Sequence, residues 1–207
     1  MTDFTYEAKG EKNKLETYEW TRIWLESANT HDKKRVLYIG DSISAGTFRI
    51  ATKRSNDEFL FDSIATSKGL DHPLFYDYIS LFSKEEGERS CVIFNNGLHG
   101  WHLDDKNDYS EFYEKAIFFL LNEFPESKLF LVTTTALENP ERCERVKVRN
   151  RVVASIAKKY SLPVIDLYSV SAENTSLRSS DGVHYTEAGY TLFADEIIKE
   201  IKKYIYK

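Results

Sequence analysis

Cysteine is almost missing from this 207-residue chain. The two present, Cys91 and Cys143, are too few for a disulfide scaffold and lack the spacing of a zinc site, so a reducing compartment fits. Cys91 opens an apolar run and reads as a small buried hydrophobe, whereas Cys143 sits among charges in Glu141-Arg142-Cys143-Glu144-Arg145. A basic excess is missing too. Lys and Arg number 28 against 33 Asp and Glu, and the net charge of -5 leaves no footprint for nucleic acid and mildly disfavours anionic membranes. No apolar run approaches the ~20 residues of a membrane span, so stable membrane insertion is not expected. The opening MTDFTYEAKGEKNK has no apolar stretch of the signal-peptide kind, and a cytoplasmic location is the expectation. There is no internal repeat and no low-complexity tract. The turn after the first predicted strand has neither Gly-x-Gly-x-x-Gly nor a P-loop lysine, which argues against a nucleotide, and no cofactor is expected.

What is present reads as globular. Hydrophobic residues make up 42% and charged residues 29%, a balance that can build a core and stay in solution. The length suits one domain over residues 1–207. Short apolar runs alternate with longer amphipathic ones. Strands are predicted at Val36–Ile39, around Glu58 to Ile64, at Cys91–Phe94, at Leu129–Thr134 and at Pro163–Asp166. Helices are predicted at Tyr109–Phe124, stopped by Pro125, at Pro140 to about Tyr160, and at Glu187–Tyr204. An extra N-terminal helix is predicted at about 11–27, with Trp20, Ile23, Trp24 and Leu25 as its core face. Near-continuous apolar strands imply burial on both faces. Strand–helix alternation then implies a three-layer α/β fold around a parallel sheet, with ligands at the carboxyl ends of the strands.

Those ends carry the chemistry. The first strand is followed by Gly40-Asp41-Ser42-Ile43-Ser44, and the third by Asn95-Asn96-Gly97-Leu98-His99-Gly100-Trp101-His102. Asp181-Gly182-Val183-His184 stands just before the last helix. A serine hydroxyl is a weak nucleophile that needs a base to take its proton and a carboxylate to hold that base. Alone, Gly-Asp-Ser is more often a turn or helix cap, and Asp181 an Asx-turn residue. Together they supply a nucleophile, a base and an orienting carboxylate. A Gly-x-Ser-x-Gly elbow is absent, which argues against a standard α/β-hydrolase. His99, His102, Asp104 and Asp105 invite a metal reading, but the glycine-flanked segment need not put them on one face, and no metal is expected. Arg149 and Asn150 receive no role.

Gly40-Asp41-Ser42 resembles the first block of the SGNH (GDSL-type) hydrolases, and Asp181-Gly182-Val183-His184 their last. Gly97-Leu98-His99-Gly100 is similar to their third block in a variant form. The resemblance spans roughly residues 35 to 204. It implies a flavodoxin-like α/β/α sandwich with five parallel strands, and hydrolysis of esters, thioesters or acetylated sugars. It also implies Ser42, Asp181 and His184 as catalytic residues. Oxyanion donors would be the Ser42 N–H, Gly69 (or Ser67 or Lys68 in its place) and the His99 side chain, which stands where the family has Asn. Asp41, Asn96, Gly97 and Trp101 are candidates for substrate binding, Trp101 as a face for a sugar. Residues 45 to 58, 99 to 110 and 168 to 180 are read as substrate loops. Their Arg49, Lys53, Arg54, Trp101, Asp104 and Asp105 favour a polar ligand, hence a small-molecule or carbohydrate ester, with acetyl or another short acyl group leading. Thioesterase or lipid acyl-hydrolase chemistry at the same site, and a non-catalytic binding domain, are the alternatives. Activity should fall on acidification near the ordinary imidazole pKa of about 6.5.

Overall fold

The predicted runs become a sheet in the computed structural model, which describes residues 15–85, 88–105 and 108–206. The strands are β1 (Thr21–Trp24), β2 (Lys34–Gly40), β3 (Phe59–Thr66), β4 (Cys91–Phe94), β5 (Lys128–Val132) and β6 (Val164–Ile165). Their order across the sheet is β1-β3-β2-β4-β5-β6. All neighbours are parallel except β1, which runs antiparallel to β3 with Thr21 opposite Thr66 and Trp24 opposite Ser63. The sheet is therefore six-stranded and mixed, where five parallel strands were expected.

Side chains alternate across the strands and feed two cores. Val36 and Tyr38 of β2 enter one, and Leu37 and Ile39 the other. The first core is closed by α1 (Ser42–Arg54) and α7 (Glu187–Ile205), with α6 (Leu167–Glu173) beside α7. The second is closed by α2 (Pro73–Ser83), α4 (Tyr109–Glu123) and α5 (Pro140–Tyr160). A single turn, α3 (His102–Asp105), precedes α4. Helix starts follow capping chemistry. Asn139 caps α5 ahead of Pro140, Thr186 caps α7, and the Asp41 carboxylate accepts the Ile43 N–H to cap α1.

The helix expected at about 11–27 is not formed where the chain is described. Residues 15–20 are irregular, 21–24 are β1, and 11–14 lie outside the described residues. The Trp20, Ile23, Trp24 spacing suits a helix, yet Ile23 and Trp24 are 39% and 37% exposed and bury no helical face. Instead the open edge of β3 takes β-branched and aromatic residues as a pairing strand. The expected loop at 45 to 58 is also mostly helix α1, and 168 to 180 includes α6. The α1 sequence is poor in helix formers and contains Gly46, which costs about 1 kcal/mol against Ala. Tertiary packing overrides that cost: a Cβ on Gly46 would lie 2.5 Å from the Tyr190 ring, so only glycine admits α7 this close.

Candidate active site

The turn from β2 into α1 sets the first residue of the site. A Cβ on Gly40 would lie 2.8 Å from the Ser44 side chain, so glycine permits the tight strand-to-helix passage. Asp41 then caps the helix, and Ser42 is its first residue. An oxygen at a helix N-terminus meets unspent N–H groups and the positive end of the helix dipole.

The second part comes from the turn before α7. Asp181 Oδ1 accepts the Val183 and His184 N–H groups, both at 2.9 Å, a turn closed by Gly182 at φ +76°. Its other oxygen, Oδ2, accepts the His184 Nδ1–H at 2.6 Å. Burial raises the Asp181 carboxyl, but the N–H groups of Val183 and His184 and the His184 ring more than offset it and hold it below the usual carboxylate range. An ionised Asp181 fixes the proton on Nδ1, so Nε2 presents its lone pair. Ser42 Oγ–H donates to that Nε2 at 2.7 Å. Asp181 thus makes the turn with one oxygen and orients the His184 ring with the other.

Ser42 and His184 open into a cavity of about 170 Å³. Its walls are mostly apolar, from Leu98, Leu137 and Val183, with Trp20, Trp101, His99 and Arg142 completing them. Trp20 and His99 meet edge to face at 6.0 Å. Arg49 and Arg54, expected near a ligand, pair elsewhere, with Glu26 and Asp195. Asp104 is taken by Arg145 and Arg149. Lys53 sits exposed on α1, and the side chain of Asp105 lies outside the described residues. The polar-ligand argument from those residues is therefore corrected: of their described side chains only Trp101 lines the cavity.

The remaining candidates divide. His99 lines the cavity; Gly69, Asn96, Gly97 and Asp41 do not. Asp41 is buried as a cap, and burial pushes its carboxyl up, with His99 and His184 opposing. Asn96 ties two loops together by donating from Nδ2 to the Lys68 carbonyl at 3.0 Å. Gly97 is a packing requirement, since a Cβ there would lie 1.6 Å from Thr134 Oγ1. Trp101 is only 4% exposed, with the Arg145 and Arg149 guanidinium groups 4.7 and 4.3 Å from its ring centre, so little of its face is left for a sugar. Within 67–69, the Ser67 N–H donates to the Trp20 carbonyl and the Lys68 N–H to Thr66 Oγ1. That leaves Gly69 as the open choice for a backbone donor. The metal-like residues do not converge: His99 meets Glu16, His102 meets Asp71, and Asp104 meets arginines.

Two residues that matter were given no role from sequence. Arg149 is 1% exposed and donates to the carbonyls of Gly97, His99 and Gly100 at 3.2, 2.6 and 2.8 Å, and to Asp104 at 2.8 Å. It moulds the loop that carries His99. The signal was legible, since Arg149 lies on the apolar stripe of α5 with Val146 and Val153, where a charge needs partners. Glu16 is the second, buried beside His99; its sequence neighbours are mostly polar and give no period that would mark it.

Comparison with known proteins bears on the family and the fold. Residues 108–197 match the family model of the GDSL-like lipases and acylhydrolases. Over 182 residues the chain is 27% identical to a protein of Staphylococcus aureus (strain COL) named "Putative O-acetyltransferase", covering 86% of this chain. The chain spans only 27% of that relative's length. Among solved structures, a member of the lipolytic G-D-S-L family from Veillonella parvula aligns with a TM-score of 0.67 at 15% identity, covering 80% of this chain and 97% of the other. An acetyl xylan esterase aligns with a TM-score of 0.62 at 18% identity, covering 80% and 98%. At these identities the structural likeness establishes the fold.

Proposed function

We propose that this chain, a member of the GDSL-type (SGNH) hydrolase family and an enzyme acting on esters, cleaves acetyl or other short acyl esters on a carbohydrate through Ser42, His184 and Asp181. The observation that carries this reading is the unbroken relay of 2.7 and 2.6 Å from the Ser42 hydroxyl through His184 to Asp181. Ser42 Oγ attacks the ester carbonyl while its proton passes to His184 Nε2. The tetrahedral intermediate collapses, the C–O bond to the alcohol breaks, and His184 returns the proton to the leaving oxygen. Water then gives a proton to His184 and attacks the acyl-Ser42 carbonyl; the Ser42 Oγ–acyl bond breaks, His184 returns the proton to Oγ, and the acid leaves. Asp181 stabilises the imidazolium in both halves. The oxyanion is received by the Ser42 N–H and the His99 ring, which lines the same cavity, donors of a kind worth about 10²–10³ each in turnover.

An acetyl or short acyl group fits a cavity whose aliphatic walls stand beside Ser42, and Trp20 gives that cavity an aromatic wall against which a sugar can pack. The alignment with an acetyl xylan esterase supports the same choice. A second reading is favoured by the staphylococcal relatives: a sugar hydroxyl in place of water takes the acyl group from Ser42, so that the domain transfers acetyl. Rates on acetylated xylo-oligosaccharides, p-nitrophenyl esters of rising chain length and an acyl-CoA separate the possibilities. We expect kcat/KM to be highest for acetyl esters and to fall at least tenfold by the octanoyl ester. A maximum at long chains or at acyl-CoA would contradict the substrate assignment. Acetate appearing on an added sugar, not in water, would favour transfer.

The pH dependence follows from proton inventory. Asp181, held below the carboxylate range, stays ionised on mild acidification and keeps its hold on the His184 ring, whose Nε2 must be unprotonated to act as the base. Activity is expected to fall as pH drops and to follow a single proton. A flat kcat/KM between pH 5 and 8 would contradict His184 as base.

No helix among the described residues is long and apolar enough to cross a membrane.

A further inference from the structure

Helix α5 carries three arginines on one face. Arg142, Arg145 and Arg149 are spaced three and then four residues apart, the interval that stacks side chains on a helix. Two of them are consumed by the fold. Arg145 donates to Asp104 at 2.9 Å and to the Trp101 carbonyl at 2.7 Å, and Arg149 donates to Asp104 and to three loop carbonyls. Arg142, nearest the helix start, lines the cavity with Ser42 and His184. Its backbone N–H donates to Asn139 Oδ1 at 2.9 Å. Its guanidinium makes no hydrogen bond, ion pair or ring contact among the described residues.

Neither the helix nor the wall accounts for a cation there. Arg142 is the third residue of α5 after the Asn139 cap, where the positive end of the helix dipole disfavours a positive side chain. The wall beside it is aliphatic, from Leu98, Leu137 and Val183, and offers a guanidinium no acceptor. The carboxylates on this rim are Asp181, engaged by His184, and Glu138, which packs over Gly182. With the chain at -5 overall, attraction for an anion has to be local. Among the described residues lining the cavity, Arg142 alone carries a permanent charge. A guanidinium holds its donors in a planar fork that fits the two oxygens of a carboxylate.

We propose that Arg142 is a specificity residue of this site and receives a carboxylate on the sugar of the substrate, so that the preferred substrate is an acetyl ester of an acidic carbohydrate. This rests on the reading of Ser42 and His184 given above. The aliphatic residues take the acyl methyl, which places the anion on the alcohol side of the ester.

The test is acetate release by the full chain from an O-acetylated methyl glucuronoside and the matching O-acetylated methyl glucoside, which differ only at C6. The native protein is expected to favour the glucuronoside at least tenfold in kcat/KM, mainly through KM, and the preference should shrink at about 0.5 M salt. Arg142→Gln should lower kcat/KM on the glucuronoside about 10–10²-fold. That loss should exceed the loss on p-nitrophenyl acetate at least tenfold, which separates lost recognition from a damaged fold. Arg142→Lys should restore part of the preference, as it returns the charge without the fork. Equal native rates on the two glycosides, or equal losses on both in Arg142→Gln, would overturn the proposal. So would an Arg142-dependent preference for p-nitrophenyl hemisuccinate over p-nitrophenyl butyrate, which would put the anion in the acyl group. The failures are separable: Ser42→Ala at native rate sinks the esterase reading, whereas an inactive Ser42→Ala beside equal rates on the two glycosides sinks only this one.

Discussion

Ser42→Ala is expected to lower kcat for p-nitrophenyl acetate by about 10⁴–10⁶-fold, with the far-ultraviolet circular dichroism unchanged. The size of the loss follows from the step removed. Without Oγ there is no acyl-enzyme, and His184 has no hydroxyl to deprotonate. Residual rate would come from water placed against the surviving oxyanion donors. The fold should tolerate the change, because Ser42 supplies its backbone to α1 while Asp41 makes the side-chain cap. Ser42→Ala removes one hydroxyl and creates no void larger than that atom. A variant within tenfold of native turnover would mean that the hydroxyl bonded to His184 is not the nucleophile.

Arg149→Ala is expected to lower the unfolding free energy by about 3–5 kcal/mol, read from the urea midpoint at unchanged slope. Three loop carbonyls lose their donor, Asp104 keeps only Arg145, and the rings of Trp101 and Tyr109 lose the cation 4.3 Å from each. Unsatisfied buried carbonyls cost more than the bonds themselves contribute. Arg149→Lys should recover less than half, since a lysine cannot reach three carbonyls and a carboxylate with one planar fork. Any Arg149→Ala protein that folds should also lose turnover, as the His99 carbonyl is one of the anchors released. A stability change below about 1 kcal/mol would mean that the loop is held by its other contacts alone.

Why some of this was legible and some not can be followed residue by residue. The strands at Cys91–Phe94 and Val36–Ile39 were plain because burial on both faces leaves an uninterrupted apolar run. Helices α4, α5 and α7 announced themselves through periodic apolar positions, with Pro125 ending the first and Pro140 opening the second. The Ser42, Asp181 and His184 set could be nominated because each lies where a strand or turn meets a helix. Helix α1 was hidden because its residues are weak helix formers and its stability comes from α7 and β3, which no local window contains. Strand β1 was misread because Trp20, Ile23 and Trp24 satisfy a helical spacing by accident, while their real determinant is a free edge on β3. The substrate loops were misjudged for a related reason. Arg49, Arg54 and Asp104 are charges whose partners, Glu26, Asp195 and Arg149, are distant in sequence or on another element, so their neutralisation is invisible to composition. Glu16 was silent because a single buried carboxylate in an irregular segment has no period at all.

The most direct measurement is covalent trapping. The native chain is treated with a fluorophosphonate, its intact mass is recorded, and the modified peptide is sequenced. One phosphonyl group is expected, on Ser42, forming faster than on His184→Ala by about two orders of magnitude or more. No adduct at high reagent, or an adduct on any other residue, would contradict an activated Ser42.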